Sequence, residues 1–484
     1  MTADVSVPAP HPQRDDPHEL RRVITRPMLI FFILGDILGA GIYSLTGQVG
    51  AEVGGAIWAS FLVAFVLAFL TAFAYMELVT KYPQAAGGAL YCDRAYQIKF
   101  LSFLVTFAIM ASGVTSASFA ATRVGGRYFS GLTGVEHPPT ILIGTLAILL
   151  VAAVNFWGVA ESIKVNIAIT CVELAGLLFV IGVGASVLAQ GSGDPAAAFT
   201  FSGQGFGVVT GIMAGAATAF YAFLGFEDSV NLAEETKEPS RDFPPAMITG
   251  LLAAAVVYLL VAFTAAMVVP LDVLTTSSGP LLEVVKIGAP DLPVSQIFSA
   301  VSMVAVSNTM LINMLMASRL LYGMARRDVL PRPFAVLSNR RTPWIAIAFT
   351  TALSILLMAT VSDLTDLSDT TVLLLTAVFL LVNIAALVLR RDHVPHRHFR
   401  APTVIPALGA IVSAVFLLPF VREAGIYLLA FWLLLGGVAL WALNRLVVRR
   451  LPPRDGSAAA PPRPDPVPAP RSRRSCVACG YDTP

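Results

Sequence analysis

The sequence is poor in charged residues. Asp, Glu, Lys and Arg make up only 13% of its 484 residues, whereas 56% are hydrophobic and the mean hydropathy is +0.76. A soluble domain usually has about 25% charged residues, and a soluble fold could not keep this much apolar surface away from water. The composition therefore predicts an all-α polytopic membrane protein that lies in a lipid bilayer.

Several kinds of chemical site are also missing from the sequence. The net charge of +2 offers no strong field for a nucleic acid. There is no P-loop for ATP and no Ser/His/Asp arrangement typical of a hydrolase. Cys476 and Cys479 form an isolated C-x-x-C, which is only half of a zinc site. We therefore predict no nucleic-acid partner, no enzymatic activity, no cofactor and no metal site.

Apolar runs close to the length of a membrane span divide most of the chain. Each run is separated from the next by a polar or Pro/Gly-rich segment. The residues before the first run lack the apolar region and cleavage site of a signal peptide, so we expect the first run to be retained as a span. The twelve predicted spans are 27–48, 56–79, 97–121, 140–159, 163–189, 206–232, 246–270, 294–323, 343–361, 369–390, 403–421 and 425–447.

Positive charges are distributed unevenly between the two sides of this topology. With twelve spans both termini lie on one side, and all but four of the 32 Lys and Arg residues fall on that side. The positive-inside rule then places both termini in the cytoplasm. We expect residues 1–26 and 448–484 to be cytoplasmic tails, the second of them disordered because it is rich in Pro, Ala and Arg.

Two of the predicted spans are interrupted by glycine and acidic residues. Span 1 contains GDILGAGIYSLTG, with Asp36 among its glycines, and span 6 contains TAFYAFLGFEDSVNLAEE, in which Gly225 precedes Glu227 and Asp228. The glycines could simply allow close helix packing. Because the two segments lie five spans apart, however, they occupy matching positions in two five-span repeats of opposite orientation. That pattern indicates a central binding site in a secondary transporter.

A break in a membrane helix supplies hydrogen-bonding groups without a buried basic side chain. Unwinding around Gly39-Ala40-Gly41 would free backbone N–H groups at the positive end of a half-helix, where a carboxylate binds well. The carbonyls freed near Ile37, and from Tyr221 to Leu224, would accept hydrogen bonds from an ammonium group. Donors and acceptors side by side predict an α-amino acid or a similar amine as the ligand.

The same motifs resemble those of a known family. GDILGAGIYSLTG is similar to the first-helix signature of the amino acid–polyamine–organocation permeases, and FYAFLGFEDSVNLAEETKEPSRDFPPAM to their sixth helix and the following loop. The segments YMELVTKYPQAAGGALY, ASRLLYGMARRDVLPRPFAVLSNRRTPW and FRAPTVIPALGAI resemble those that follow helices 2, 8 and 10. The resemblance covers residues 27–447 and implies a transporter domain of 12 transmembrane helices. Its fold would be the five-plus-five inverted-repeat (LeuT-like) fold, in which helices 1 and 6 are broken, and its activity amino acid transport by alternating access.

The resemblance also implies a set of substrate-binding residues. The carboxylate cradle falls on Gly39, Ala40 and Gly41. The carbonyls that accept from the amine fall on Ile37, Tyr221 and Leu224. The aromatic gate falls on Phe220, Tyr221 and Phe223, and a side-chain pocket position on Asn313. Some relatives have Ser or Thr where this chain has Ala40, so here the backbone alone must hold the carboxylate at that position.

Charged residues inside membrane spans are functional candidates. Glu173 lies near the middle of span 5, and we predict that it carries a coupling proton; the alternative is a protonated, hydrogen-bonded residue with a structural role. Asp36 could partner a substrate cation, bind a proton or Na⁺, or cap the broken helix. By the resemblance, Glu227 matches a position proposed as a pH-sensitive gate in a bacterial arginine/agmatine exchanger. Residues nearer the span ends are expected to form salt bridges instead, and these are Glu77, Glu234, Glu235 and Arg241.

Together these features predict a secondary active amino acid permease of the plasma membrane, coupled to protons by symport or working by exchange. Na⁺ stays open as the coupling ion, because Ser307, Asn308 and Thr309 on span 8 could complete a Na⁺ site. Two other functions also stay open, namely an amino acid sensor that keeps the transporter fold and a transporter of polyamines or cationic amines. The sequence does not choose among amino acids, or between a monomer and a homodimer.

Overall fold

The computed structural model describes residues 20–449, except residues 21, 203–204, 278, 291–292, 361–364 and 419–423. Most of the predicted N-terminal tail and nearly all of the predicted C-terminal tail, including its C-x-x-C pair, lie outside the described residues. The predictions for both tails therefore stay predictions.

Helices dominate the described part of the chain. The first eight are α1 Arg26–Ile37, α2 Ala40–Val53, α3 Ile57–Lys81, α4 Gly87–Tyr96, α5 Lys99–Arg123, α6 Phe129–Thr133, α7 Thr140–Trp157 and α8 Val159–Ala189. The remaining nine are α9 Phe206–Phe223, α10 Pro239–Val268, α11 Leu271–Thr276, α12 Pro280–Gly288, α13 Val294–Arg326, α14 Trp344–Thr360, α15 Thr365–Val388, α16 Val404–Phe416 and α17 Ala424–Arg449. A π-helical turn, Val124–Tyr128, joins α5 to α6, and a 3₁₀ segment, Asp228–Glu235, follows the end of α9.

Length and composition identify the helices that can cross a bilayer. Among the described residues, ten helical stretches are long and apolar enough to do so. The helices α14 and α16 are also apolar, but at 17 and 13 residues they are shorter than the roughly 20 residues that a span usually needs. The structure therefore supports a multi-pass membrane protein, and the count of twelve spans stays a prediction.

The helices differ in how deeply they lie in the bundle. In α7 only 22% of the membrane-length window is buried, and the exposed side chains include Leu142, Leu146 and Leu150. In the stretch Arg26–Tyr43, which contains the first predicted break, 71% is buried. An apolar exposed face suits contact with lipid, so α7 belongs to the periphery. The interrupted helix belongs to the centre of the bundle, as a binding site requires.

Both predicted interruptions are present in the structure. The first lies between α1 and α2, where Leu38 and Gly39 are not helical. The helix resumes at Ala40, so the break is shorter than the predicted Gly39-Ala40-Gly41 segment. The second follows Phe223, where Leu224 is extended. Gly225 has a φ of +131°, and a Cβ on it would lie 2.8 Å from the Cγ of Asp36. The second break therefore requires a glycine, both for this backbone conformation and for the close contact with Asp36 at the first break.

One end of the bundle holds the start of α1 against the segment that follows α9; we call this end the tail face. The N–H groups of Val23 and Ile24 donate to the carbonyl of Glu235 at 2.9 and 3.0 Å, and Ile24 forms an isolated β-bridge with Thr236. The N–H of Lys237 donates back to the carbonyl of Ile24 at 3.0 Å. These backbone bonds tie the two interrupted helices together beyond their breaks.

Three of four salt bridges at the tail face join segments that are distant in the sequence, and the fourth is local. The predicted ion-pairing residues all have a partner, and the pairs are Glu77–Arg390 at 2.8 Å, Glu234–Arg326 at 2.7 Å, Glu235–Arg319 at 2.6 Å and Glu238–Arg241 at 3.3 Å. The pair of Glu235 with Arg319 is fully enclosed, since the two side chains are 2% and 0% exposed. The prediction that these groups form salt bridges is confirmed.

The short helix α4, which lies between two spans, is held by a similar contact. The carboxylate of Asp93 accepts hydrogen bonds from Arg327 at 2.7 Å, Ser102 at 2.8 Å and Lys99 at 3.1 Å. Burial acts to raise the pKa of Asp93, but the hydrogen bonds from Arg327 and Ser102 outweigh it and hold that pKa below its usual value. Asp93 therefore stays charged at neutral pH and fixes α4 to the end of α13.

Candidate functional site

A cavity lies where the two helix breaks meet, and we call it the break cavity. Its lining residues from the first break are Asp36, Ile37, Gly39 and Gly41. From the second break they are Tyr221, Ala222, Leu224, Gly225, Glu227 and Asp228. The other helices contribute Ile109, Ser112, Gly113 and Ser116 of α5, Thr309 and Asn313 of α13, and Leu375 of α15. Both interrupted segments thus face one space, together with α5 and α13.

The break cavity collects most of the residues predicted for substrate binding. Those that line it are Ile37, Gly39, Gly41, Tyr221, Leu224 and Asn313. Ala40 is the first residue of α2 and lies between two lining glycines. Asp36 and Glu227, predicted for coupling or gating, also line the cavity. The structure therefore brings six of the nine predicted substrate-binding residues and two of the three predicted coupling or gating residues into one cavity lining. Their roles stay predictions.

The two phenylalanines of the predicted aromatic gate lie outside the cavity lining. Phe220 is fully buried, with its ring centroid 5.8 Å from that of Phe379. Phe223 is also fully buried and packs on Phe61 and Tyr258 at 6.4 and 5.2 Å. In this structure both rings belong to the packed core behind the second break. A gating role for them stays a prediction.

The start of α2 lies at the cavity, where Gly39 and Gly41 are lining residues. The first turn of any helix has N–H groups without a partner inside the helix, and here that turn begins at Ala40 and Gly41. The residue before it is Gly39, which has no side chain to cap these groups. They also lie at the positive end of the helix dipole. This end of the cavity is suited to a carboxylate, and it needs no basic side chain.

Two of the predicted acceptor carbonyls are already used within the protein. The carbonyl of Tyr221 accepts from the N–H of Leu224 at 3.3 Å. The carbonyl of Ile37 accepts a hydrogen bond from the hydroxyl of Tyr258, which also lies 3.1 Å from the carbonyl of Ala222. Tyr258 on α10 is fully buried. Its hydroxyl bridges the two breaks, because it lies between the carbonyls of Ile37 and Ala222. The sequence analysis missed it, because no motif links a tyrosine on span 7 to breaks in spans 1 and 6.

Replacing Tyr258 by Phe tests this bridge. We expect substrate affinity to fall by about tenfold, because the hydroxyl holds the two breaks at the spacing of the cavity, and restoring that spacing on binding without a hydrogen bond of about 1 kcal/mol costs close to a factor of ten. The measurement is the substrate concentration dependence of uptake into proteoliposomes. Tyr96→Phe is the matched control, since its hydroxyl donates to the Leu381 carbonyl at 2.7 Å outside the break cavity. Equal affinities in the two variants would contradict the bridging role.

Three acidic side chains line the break cavity. Glu227 accepts a hydrogen bond from the N–H of Gly225 at 2.9 Å. Asp36 is 6% exposed, and its Oδ2 atom has no hydrogen-bond partner among the described residues. Asp228 is half-buried beside them. The sequence analysis gave Asp228 no role, although its position directly after Glu227 and close to the break was visible.

Glu173 lies outside the break cavity, behind the first break. It is fully buried, and its Oε2 atom faces the amide nitrogen of Asn308 at 3.5 Å, whereas its Oε1 atom has no partner among the described residues. The same amide nitrogen donates to the carbonyl of Gly35 at 3.2 Å. Asn166 donates to the Oδ1 atom of Asn308 at 3.0 Å. A polar network therefore connects Glu173 on α8 to the last turns of α1.

Helix α1 approaches this network very closely. A Cβ on Gly35 would lie 1.9 Å from the Oγ1 atom of Thr170, so a larger residue would force α1 away from α8.

The three residues considered for a Na⁺ site make different contacts in the structure. Ser307 donates to the carbonyl of Met303 at 2.7 Å, Asn308 joins the network, and Thr309 lines the break cavity.

Fold and cavity together define a multi-pass membrane protein whose two interrupted helices enclose a polar, acidic central site. Comparison with known families assigns it further. The sequence model of the amino acid permease family matches residues 24–440, so this chain belongs to the amino acid permease family. The resemblance found in the sequence motifs is confirmed.

The relatives are named as transporters, but their substrates differ. The chain is 27% identical over 434 residues to a branched-chain amino acid permease of Bacillus subtilis (strain 168), a match that covers 85% of this chain and 90% of the relative. It is 27% identical over 452 residues to a methylthioribose transporter of the same organism, covering 88% and 94%. It is also 27% identical over 411 residues to a vacuolar cationic amino acid transporter of Arabidopsis thaliana, covering 78% and 65%. The family is one of transporters rather than enzymes.

Proposed function

We propose that this protein is a secondary active amino acid transporter of the plasma membrane, which works by alternating access with both termini in the cytoplasm. One observation carries the proposal: the uncapped start of α2, with Ala40 and Gly41 in its first turn, faces the same cavity as three carboxyl groups. An amino acid needs donors for its carboxylate and acceptors for its ammonium group in one cavity. The break cavity offers both without a buried basic side chain in its lining.

The position of the two breaks supports alternating access. Each break falls in the first helix of one predicted five-span repeat, and the second repeat runs through the membrane in the opposite sense. The tail face beneath the cavity is tied by the Ile24–Thr236 bridge and the buried Glu235–Arg319 pair. We propose that these contacts close the cytoplasmic route to the site, and that they separate when the site opens inward.

We propose that Glu173 carries the proton that couples uptake to the membrane gradient. Its carboxyl group is the one acidic group in the polar network behind α1 among the described residues, and its Oε1 atom is free to hold a proton. The charge of an ionised Glu173 would act on Asp36 and on the neutral hydroxyl groups of Tyr43 and Tyr258. Since Asn308 bonds both Glu173 and the carbonyl of Gly35, a change in protonation would act on α1 next to its break.

Transport into proteoliposomes that contain the purified protein tests the function. Each of the twenty amino acids is offered as a labelled substrate with an inward proton gradient, with a Na⁺ gradient and with no gradient. Accumulation of an amino acid above its outside concentration supports the proposal. Binding without accumulation, and without exchange against a preloaded amino acid, would indicate a sensor and overturn it.

The variant Glu173→Gln tests the coupling role. We expect accumulation driven by the proton gradient to fall at least to about a tenth, because a glutamine cannot carry the proton, while exchange of internal for external substrate persists. Glu161→Gln, an exposed position on the same helix, is the control and should transport normally. A Glu173→Gln protein that still responds to the proton gradient would place the coupling group elsewhere.

A further inference from the structure

One exposed arginine at the edge of the bundle has a different kind of partner from the others. Elsewhere in the described chain arginines bind carboxylates at 2.6 to 3.0 Å, and five such pairs are Arg319–Glu235, Arg326–Glu234, Arg327–Asp93, Arg390–Glu77 and Arg26–Asp242. The guanidinium of Arg340 instead lies 5.6 Å from the ring centroid of Trp157 and donates to the Trp157 carbonyl at 3.5 Å. No carboxylate of the described residues pairs with it. Its charge is therefore available to an anionic ligand.

The turn that carries Arg340 is fixed to the end of α7. Within residues 338–342, the N–H of Ser338 donates to the carbonyl of Thr342 at 2.8 Å, and the N–H of Arg340 donates to the Ser338 hydroxyl at 3.2 Å. Thr342 is buried, and its hydroxyl donates to the carbonyl of Phe156 at 3.3 Å. The arginine is therefore held beside Trp157 by a built turn.

The same end of α7 faces the lipid. The side chains of Leu146, Leu150 and Trp157 are all more exposed than buried, and an exposed apolar helix face meets acyl chains in a bilayer. Tryptophan prefers the level where acyl chains give way to headgroups. The indole N–H of Trp157 has no acceptor among the described residues, whereas that of Trp58 donates to the Ala198 carbonyl at 2.9 Å. Two kinds of hydrogen-bond donor thus lie at headgroup level.

The charges around this corner are mainly positive. Arg341 follows Arg340 and is half-buried, and Lys164 is exposed in the second turn of α8. The acidic residue in the first turn of α8 is Glu161, whose Oε2 atom would lie 2.6 Å from a Cβ on Gly158. One carboxylate therefore stands against three basic side chains. An acidic lipid complements this balance, whereas a zwitterionic lipid brings a cation of its own.

We propose that the corner between residues 338–342 and the end of α7 binds one acidic phospholipid. Arg340 and the indole N–H of Trp157 hold its phosphate, and one acyl chain lies along the exposed leucines of α7. By the proposed orientation this end of α7 is cytoplasmic, and the cytoplasmic leaflet is the one rich in anionic lipid. Neither residue lines the break cavity, so the site goes beyond the transport function and does not depend on the substrate.

Competition between two lipids that differ only in the headgroup tests the site. Purified full-length protein in detergent is mixed with equal concentrations of dioleoylphosphatidylglycerol and dioleoylphosphatidylcholine, and native mass spectrometry counts each bound lipid. We expect phosphatidylglycerol to be preferred by about fivefold or more, the attraction that one arginine adds near an anionic surface. Equal binding of the two lipids overturns the inference and leaves the transport function standing.

Two variants separate lipid recognition from folding. Arg340→Gln is expected to remove the roughly fivefold preference, and Trp157→Leu to reduce it. Arg332→Gln is the control, because Arg332 is an exposed arginine of the same connection between α13 and α14 that pairs with Asp328 at 3.5 Å; it should keep the preference. Thermal unfolding of each purified variant identifies any that does not fold, and the preference is then read from the other. An unchanged preference in every folded corner variant overturns the inference.

An excess of inorganic phosphate, added at constant ionic strength, distinguishes a lipid from a free anion. Phosphatidylglycerol that stays bound supports the lipid site, because its acyl chain adds contacts along α7 that phosphate lacks. Displacement by inorganic phosphate would identify an anion site instead and overturn the inference. The same spectra show the oligomeric state, so a dimer that binds no lipid and is lost in Arg340→Gln would also overturn it.

Discussion

Replacing Arg319 by Met is expected to destabilise the protein by about 3–5 kcal/mol, the cost of leaving a buried partner charge alone. Arg319 donates to both oxygens of Glu235, at 2.6 and 3.2 Å, and neither side chain is more than 2% exposed. Removing one partner leaves a carboxylate that water cannot reach. The measurement is the unfolding temperature of the purified protein in detergent, followed by the yield of monodisperse protein.

The neighbouring pair at the tail face provides the control. Arg326 also binds a glutamate, Glu234, at 2.7 Å, but its side chain is 43% exposed. Exposed pairs contribute only about 0–1 kcal/mol, so Arg326→Met should be nearly neutral. The double variant Arg319→Met with Glu235→Leu removes both charges and should regain most of the stability. If Arg319→Met is as stable as Arg326→Met, the pair does not hold the tail face together.

Replacing Gly225 by Ala is expected to lower substrate uptake by about tenfold or more. The backbone there has a φ of +131°, and forcing an L-residue into such a conformation costs about 1–3 kcal/mol. The new Cβ would also lie 2.8 Å from the Cγ of Asp36, so the two breaks would have to separate. Uptake rate and half-saturating substrate concentration in proteoliposomes measure the effect.

Gly191 offers a matched control for the backbone alone. It also has a positive φ, +75°, but a Cβ on it would meet no atom within 4 Å. Gly191→Ala should therefore cost about 1 kcal/mol in stability and leave uptake unchanged. If both variants transport alike, contact between the breaks at Gly225 is not required for function.

The sequence was most informative where a property depends on neighbouring residues. Apolar runs predicted the positions of the membrane helices, because in a bilayer each helix must satisfy its own backbone and be apolar along its whole length. The glycine clusters predicted both interruptions to within one or two residues, since glycine in a helix interior is unfavourable unless the chain must turn or approach another segment. The break near Gly39 is shorter than predicted because the helix resumes at Ala40.

The consecutive residues Ser307, Asn308 and Thr309 illustrate what the sequence could not resolve. The sequence treated them as one group, yet successive helical residues point about 100° apart. One bonds its own helix, one joins the Glu173 network and one lines the break cavity. Likewise, Phe220 and Phe223 lie beside the break in the chain but pack into the core behind it.

Two properties were thus determined by the sequence alone. The protein lies in a lipid bilayer, and two of its helices are interrupted at a central site. Local composition is sufficient for both. Only the tertiary structure decided which groups meet there. Tyr258 bridges both breaks, and the amide of Asn308 lies between Gly35 and Glu173. Asp228 lines the same cavity as Asp36. These contacts join residues that are far apart in the chain, and they depend on the rotation and depth of each packed helix, which no local pattern specifies.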